Sequence, residues 1–122
     1  MKKLFVILGI LCLLIPRDTY AVTYVPMGEF MLTAYCDCEE CSCGYGRHTA
    51  SGTYAEEGRT VAVDPSVISY GATVSIDGEI YKAEDCGGAV VGDHIDIFMD
   101  DHSDTEDFGV QYADVRIIRK GE

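Results

Sequence analysis

Hydrophobic and polar residues alternate with a period of two over much of this chain. Segments 29–35 and 111–119 alternate in this way, which is typical of strands with one buried face. Residues 60–63 form a short apolar run rich in β-branched side chains, and such a run favours a buried strand. The pattern therefore predicts a domain built largely from short strands.

The middle of the chain predicts a hairpin and further strands. Residues 72–76 and 79–83 flank an Asp-Gly pair, 77–78, which is the strongest short signal for a β-hairpin. Residues 90–91 and 94–99 supply more strand material. In contrast, the cysteine- and glycine-rich segment 36–46 has no periodicity, which predicts a loop.

Two short helical segments are predicted. Asp64 before Pro65 is the pattern of an N-cap and a first helical residue, and Gly71 ends that segment after a single turn. Residues 103–106 have the capping-box pattern of a second short helix, which ends at Gly109. About six strands with one or two helical turns predict a mainly β fold, a small closed or half-closed barrel.

The first residues have the parts of a secretory signal peptide. A basic start and an apolar run over 4–15 lead to Thr19-Tyr20-Ala21, which resembles a cleavage site. The apolar run is shorter than the roughly 20 residues that a spanning helix needs, so we expect cleavage and no stable membrane insertion. The expected organisation is a signal peptide over 1–21, a short linker over 22–28 and one domain over 29–120.

Charge narrows the possible partners. After residue 21 the chain has 6 lysines and arginines against 20 aspartates and glutamates, a formal charge of −14. Nucleic-acid-binding domains concentrate positive charge, so this balance argues against DNA or RNA. It also argues against docking on an anionic membrane surface. A neutral polysaccharide or another uncharged ligand is compatible with it.

Three aspartates stand beside turns or within the predicted strands. Asp64 follows the run 60–63, Asp85 is separated by one cysteine from two glycines, and Asp96 lies between two isoleucines. Structural roles are available for all three: an N-cap for Asp64, a turn residue for Asp85 and an exposed strand position for Asp96. Their convergence into one carboxylate cluster is a hypothesis at this point.

These residues and the motifs around them resemble the 3D domain, a family named after its three aspartates. The likeness runs from about Phe30 to Ile118. It includes Thr33-Ala34-Tyr35, Thr49-Ala50-Ser51-Gly52-Thr53, the segment 58–65, Asp85-Cys86-Gly87-Gly88-Ala89, Ile95-Asp96-Ile97 and Phe108-Gly109-Val110. The family occurs in lytic murein transglycosylase A and in small secreted cell-wall proteins of spore-forming bacteria.

The resemblance implies a double-psi β-barrel with the aspartates lining one groove. It implies a lytic transglycosylase that needs no cofactor or metal and acts on peptidoglycan glycan strands, in the cell wall or outside the cell. In that scheme Asp85 is the acid and base, and Asp64 and Asp96 tune it, orient it or bind the sugar. The products end in 1,6-anhydromuramic acid. The implied substrate-binding residues are Thr49, Ser51, Gly52, Gly87 and Gly88.

A carboxylate cluster suits cleavage of a glycosidic bond. The leaving oxygen needs a proton from an acid that stays protonated near neutral pH. Burial and a neighbouring carboxylate both raise the pKa of an aspartate, so clustered aspartates can keep one proton among them. An ordinary glycosidase needs a second carboxylate as nucleophile or base. In a lytic transglycosylase the C6 hydroxyl of the substrate attacks its own C1 instead, a step favoured by proximity.

Two positions depart from the family pattern. Cys86 stands where family members usually have threonine, and Val91 stands where they usually have lysine. The first change replaces a hydroxyl by a thiol, which is a weaker hydrogen-bonding group. The second removes a positive charge, so both changes bear on how efficiently the acid would work.

The cysteines suggest covalent cross-links or a metal. Five remain after the signal segment: Cys36, Cys38, Cys41, Cys43 and Cys86. Secretion favours disulfides among them, and the odd number leaves one thiol free or bonded to another chain. The dense spacing of the first four also suggests a zinc site, although zinc motifs more often have two-residue gaps within each pair of cysteines. The three histidines are not spaced as a metal set and are expected at the surface.

Two other functions fit the same residues. A non-catalytic glycan-binding or wall-loosening barrel, or a hydrolase of O-glycosyl bonds, would use the same groove. A thiol or metal protein would instead be built on the cysteine loop.

Overall fold

A computed structural model describes residues 21–121, so the predicted signal peptide lies almost entirely outside the described residues. The elements in chain order are β1 Val22–Tyr35, α1 Glu39–Ser42, β2 Thr60–Ala62, β3 Thr73–Ile76, β4 Glu79–Asp85, β5 His94–Phe98, α2 His102–Phe108 and β6 Gln111–Lys120. Within this part of the chain, no helix is both long enough and apolar enough to cross a membrane.

The six strands form a closed barrel in the order β1-β5-β2-β4-β3-β6. The pairs β1–β5 and β2–β4 are parallel, and the other four are antiparallel. Closure gives every strand a partner on each side. In β1 only residues 31–35 reach β5, and residues 22–30 pair with β6 alone. The prediction of a small, mainly β barrel is confirmed, and α2 corresponds to the second predicted helical segment. The first, after Asp64, is a hydrogen-bonded turn and not a helix, and α1 instead lies within segment 36–46, for which the sequence predicts a loop.

The core follows from the alternation along each strand. Inward-facing residues such as Phe30, Leu32, Val61, Ile95 and Val115 form one buried cluster inside the barrel. A second cluster of Tyr35, Ala55, Ala62, Val90 and Phe98 packs on the outer face of β1, β2 and β5. Because both faces of β2 and β5 are covered, these strands are almost wholly buried.

The predicted hairpin is confirmed. β3 and β4 pair in antiparallel register, with Ile76 opposite Glu79. The turn places Asp77 at φ 49° and Gly78 at φ 82°. Positive φ at both central residues is the mark of a type I′ turn, for which Asp-Gly is a preferred pair.

Several element boundaries differ from the predictions. Residues 22–28, expected as a linker, form the first half of β1 and pair with β6, with Val22 opposite Lys120. Residues 90–91 are not a strand, because Val90 packs in the outer cluster and Gly92 turns the chain at φ 70°. Helix α2 begins earlier than the capping box predicted: its N-cap is Asp101, which makes no side-chain cap.

Candidate functional site

Strand register places four residues in one row across the barrel. Asp85 of β4 pairs with Ala62 of β2, Ala62 with Asp96 of β5, and Asp96 with Thr33 of β1. The neighbours of Asp96 along β5 are in the barrel core, so alternation turns the row outward. Two strand spacings separate Asp85 from Asp96, which puts their backbones about 10 Å apart.

A β-bulge in β4 brings Asp85 to this outer face. The register steps from Val61 opposite Ala83 to Ala62 opposite Asp85, so Glu84 is the extra residue. Simple alternation would have pointed Asp85 to the same side as Ala83, which is in the barrel core. Bulges of this kind re-aim a side chain, and here the bulge adds Asp85 to the row.

A cavity of 520 Å³ opens beside the row. One side, here called the strand wall, is formed by Tyr35, Ala62, Asp85 and Asp96. The loop wall consists of Cys41, Ser42, Cys43, Tyr45, Gly46 and His48. Its volume lies within the roughly 300–1,000 Å³ typical of small-molecule sites. Ala62, which lies between the two aspartates in the row, is buried in the outer cluster with Tyr35 and Val90.

The carboxylate of Asp85 is held by three donors. Oδ1 accepts the backbone N–H groups of Ala50 at 3.0 Å and Cys86 at 2.9 Å. Oδ2 accepts the hydroxyl of Tyr35 at 2.8 Å. Two donors already occupy Oδ1, so an added proton on this carboxyl would sit on Oδ2. Asp85 therefore has one anchoring oxygen and one oxygen suited to proton transfer.

Tyr35 stays a hydrogen-bond donor under all ordinary conditions. Burial, followed by the charge of Asp85, raises the pKa of the Tyr35 phenol far above its usual range. Its ring packs edge-to-face on Phe98, with ring centroids 5.4 Å apart. The phenol is thus a fixed O–H group aimed at Asp85.

Asp96 is joined to a buried histidine through Thr33. The Thr33 hydroxyl lies 2.9 Å from Asp96 Oδ1 and 2.7 Å from His94 Nε2. His94 Nδ1 lies 3.0 Å from the carbonyl of Ala89, which can only accept, so Nδ1 carries a proton. His94 is only 8% exposed, which corrects the expectation of a surface histidine.

Thr33 therefore links Asp96 and His94 in one hydrogen-bonded chain. Burial raises the pKa of Asp96 and Asp85 adds to this rise, whereas the Thr33 hydrogen bond and His94 oppose it.

Asp64 is placed differently from the other two aspartates. Its carboxylate accepts Ser66 N and Ser66 Oγ through Oδ1, at 2.9 and 2.7 Å, and Gly92 N through Oδ2 at 2.8 Å. These bonds, above all the one from Gly92, lower the pKa of Asp64. Asp64 does not line the cavity. It ties the start of its own turn to the loop that leads into β5.

The predicted substrate-binding residues divide in the same way. Thr49, Gly87 and Gly88 line the cavity, whereas Ser51 and Gly52 do not. Ser51 N donates instead to the carbonyl of Glu84 at 3.1 Å, which holds the 49–53 loop against the bulge. The same loop supplies the Ala50 N–H to Asp85.

Sequence reasoning missed the partners of the two acids. Tyr35 and Thr33 belong to the quoted Thr-Ala-Tyr motif, and their spacing of two on a strand puts both on the outer face. His94 lies two residues before Asp96, so the same spacing could have placed it on that face.

The cysteines are free in the structure. All five cysteines within residues 21–121 are thiols, and no disulfide joins any pair of them. Cys41 and Cys43 belong to the loop wall, and Cys86 also lines the cavity. Cys36, Cys38 and Cys41 surround His102 of α2.

Comparisons with known proteins find one family and two relatives that are named after the cell wall. Residues 59–119 match the 3D domain. The cell wall-binding protein YocH of Bacillus subtilis is 38% identical over 61 residues, 49% of this chain and 21% of that protein. The putative cell wall shaping protein YabE of the same organism is 34% identical over 91 residues, 70% of this chain and 21% of that protein. The chain thus spans about a fifth of the length of these curated relatives.

Solved structures share the fold. The lytic transglycosylase LtgG of Burkholderia pseudomallei aligns with a TM-score of 0.54 and 25% identity, over 62% of this chain and 27% of that one. MltA of E. coli with bound chitohexaose aligns with a TM-score of 0.52 and 22% identity, over 61% of this chain and 28% of that one.

Proposed function

Since the chain belongs to the 3D domain family, we propose that it cleaves peptidoglycan glycan strands as a lytic transglycosylase. The observation that carries this proposal is the outward row in which Asp85 and Asp96 face one cavity. The bond to be broken is the β-1,4 bond from N-acetylmuramic acid to N-acetylglucosamine.

Asp85 is the acid and base of the proposed reaction. Its carboxyl donates a proton to the glycosidic oxygen as the C1–O bond breaks. The C6 hydroxyl of the muramic residue then attacks C1, and its proton passes to the Asp85 carboxylate. The carboxyl is regenerated and the product ends in a 1,6-anhydro ring, so no water is consumed.

The contacts of Asp85 suit both steps. The backbone donors on Oδ1 hold the carboxylate in one orientation, and Oδ2 carries the transferred proton. The Tyr35 hydroxyl on Oδ2 stabilises the carboxylate left after the first transfer. A donor already in place costs no reorganisation during the reaction.

Asp96 and Asp64 support the acid in different ways. Asp96 faces the same cavity and is hydrogen-bonded through Thr33 to His94. Its carboxyl group can hydrogen-bond the sugar on which Asp85 acts. Asp64 is a positioning residue, because its bond to Gly92 orders the loop that precedes β5.

The charge of the chain and the small residues around the cavity suit a neutral glycan. The strongly acidic chain repels anionic polymers, whereas the sugar backbone itself carries little charge. Thr49, Gly87 and Gly88 border the acids, and glycine allows close approach of a chain of sugars. The relatives named for binding and shaping the cell wall support a site of action in the wall or outside the cell.

Product analysis tests this activity. The purified chain is incubated with murein sacculi, and the soluble fragments are analysed by mass spectrometry. We expect anhydro-muropeptides that disappear in Asp85→Asn and persist in Asp114→Asn, a matched change on the exposed outer face of β6. Fragments with reducing ends would instead show hydrolysis and would refute the proposed transglycosylase activity.

A second candidate function is glycan binding without cleavage. Tyr45 is 72% exposed at the loop wall and offers an aromatic face to a sugar ring. A relative named as a cell wall-binding protein supports this alternative. Co-sedimentation with sacculi without any fragment release, unchanged in Asp85→Asn, would favour it over the enzyme.

A further inference from the structure

Three thiols and one imidazole nitrogen meet at a single point beside the cavity. The Sγ atoms of Cys36, Cys38 and Cys41 and the Nδ1 atom of His102 all lie within 4.8 Å of one another. Nδ1 is 3.6 Å from Cys36 Sγ, 3.6 Å from Cys38 Sγ and 3.4 Å from Cys41 Sγ. These residues come from the end of β1, from α1 and its N-cap, and from the start of α2.

Hydrogen bonding does not account for this arrangement. One imidazole nitrogen has either one proton or one lone pair, so it makes one good hydrogen bond and not three. The three sulfur contacts are nonetheless nearly equal in length. A disulfide between two of these cysteines would also leave the third thiol and the histidine without a reason to converge.

A tetrahedral metal ion accounts for all four atoms. With Zn–S near 2.3 Å and Zn–N near 2.0–2.1 Å, tetrahedral angles put sulfur and nitrogen about 3.6 Å apart. The observed sulfur–nitrogen distances of 3.4–3.6 Å agree with that edge length. Thiolate and imidazole ligands in tetrahedral geometry select zinc among the common divalent ions.

Neighbouring groups favour the metal-binding forms of His102 and Cys38. His102 Nε2 lies 3.3 Å from Glu106 Oε1, one turn along α2. A proton on Nε2 leaves the Nδ1 lone pair free to bind a metal, which is the arrangement of carboxylate–histidine–zinc sites. The backbone N–H of Cys41 points at Cys38 Sγ at 3.4 Å, a donor that stabilises a thiolate.

We propose that Cys36, Cys38, Cys41 and His102 bind one structural Zn²⁺. Three cysteines and one histidine fill all four positions, so the ion has no open site for substrate or water. Binding displaces three thiol protons to solvent, and the Zn²⁺ ion with three thiolates carries a net charge of −1. Cys43 and Cys86 are exposed and lie outside the cluster.

The ion would connect the loop wall to the barrel. Cys41 is both a ligand and a residue of the loop wall, and Cys36 directly follows β1. His102 adds α2, which follows β5 after a short link. A zinc site at this point would hold the loop wall between two elements that are anchored independently of it.

Metal analysis of the purified full chain tests the proposal. The protein is prepared with a thiol reductant and without chelator, then measured by elemental analysis and by native mass spectrometry. We expect one zinc per chain, lost in Cys38→Ser and in His102→Gln. The matched controls Cys43→Ser and His48→Gln lie nearby in the loop wall and should keep the full zinc content.

A second measurement keeps the proposal testable if a ligand variant fails to fold. Replacing zinc by Co²⁺ in the unaltered chain should give the intense d–d bands of tetrahedral cobalt and thiolate-to-cobalt charge transfer. Glu106→Gln leaves all four ligands in place, and its zinc affinity against a competing chelator should fall by about 10- to 100-fold.

Three results would overturn the metal site. One is a folded, reduced chain that takes up no zinc when the ion is supplied. Another is an intact mass showing a disulfide among Cys36, Cys38 and Cys41 in the folded protein. The third is equal zinc loss in the His48 and His102 variants. None of these readouts depends on activity towards peptidoglycan, so the zinc site and the proposed enzyme stand or fall separately.

Discussion

The two walls of the cavity are built in opposite ways. The strand wall carries Asp85 and Asp96 on strands that pair on both sides and cover the barrel core. The loop wall lies on a segment whose regular structure is the single turn of α1, and none of the residues of α1 is buried. Polar contacts hold this segment: Arg47 bonds Asp37 and Asp100, and its guanidinium lies 5.0 Å from the centre of the Phe98 ring.

This difference indicates that the two walls are held in place by different interactions. Barrel folding alone fixes the acids, because moving them would break strand register. The loop wall needs its own cross-links, since it buries too little apolar surface to be ordered by packing. Changes in the strand wall should therefore alter chemistry or global stability, and changes in the loop wall should alter local order.

The largest effect is expected from changing Asp85, the proposed acid and base. In Asp85→Asn the side chain can still accept the Ala50 and Cys86 N–H bonds, so the barrel stays folded. Loss of acid and base function should lower the rate of anhydro-muropeptide release by about 10²- to 10⁴-fold. The rate is measured on sacculi with Asp114→Asn as the control, and an unaffected rate would remove Asp85 from the reaction.

Thr33→Val should lower the free energy of unfolding. The change keeps the shape of the side chain but leaves Asp96 Oδ1 and His94 Nε2 without their shared partner. Buried polar groups left unpaired cost about 1–3 kcal/mol in the free energy of unfolding, measured by urea denaturation. Thr23→Val, an exposed position on the same strand, is the control. Equal losses in the two variants would refute the link between Asp96 and His94.

Arg47→Met should loosen the loop wall and leave the barrel intact. Each of its ion pairs is partly exposed and contributes at most about 1 kcal/mol, so global stability should change little. Amide hydrogen exchange should speed up over residues 41–48 and stay unchanged in β2 and β5. Arg116→Met on the exposed face of β6 serves as the control. Faster exchange throughout the barrel would contradict the division between the walls.

The smallest effects are expected from the pH dependence of the two supporting aspartates, and they should have opposite signs. The raised pKa of Asp96 means that the folded state binds the extra proton between the ordinary value, about 3.9, and the raised one. Wild-type stability therefore falls as pH rises through that window. Asp96→Asn should gain relative stability at neutral pH, and the gain should vanish in acid.

Asp64 should behave in the opposite sense. Its pKa is lowered, so the carboxylate stabilises the fold above the ordinary value and loses this contribution as pH falls through the lowered value. Asp64→Asn should be less stable than wild type at neutral pH, with the difference fading in acid. Urea denaturation over a pH series measures both variants. Parallel trends would show that the two aspartates share one environment.

Local signals predicted much of the fold. Alternation located β1 and β6, a β-branched apolar run located β2, and the Asp-Gly pair located the hairpin, because these features depend on neighbours along the chain. Residues 90–91 misled the prediction, since a short apolar run is equally compatible with a loop packed on an outer cluster. Motif likeness identified the family, which no periodicity would have done.

For the site, the sequence by itself determined which chemical groups are available: Asp85 beside two glycines, Asp96 on a strand face, and a dense group of cysteines. Only the tertiary structure decided which of them meet. A one-residue bulge in β4 put Asp85 in a row with Asp96. Asp64 lies in a separate turn, where it accepts a hydrogen bond from Gly92. The fold also brought His102 to cysteines more than sixty positions earlier in the chain. Alternation follows from the backbone geometry of each strand. These long-range contacts depend instead on strand register and barrel closure, which involve residues far apart in the chain.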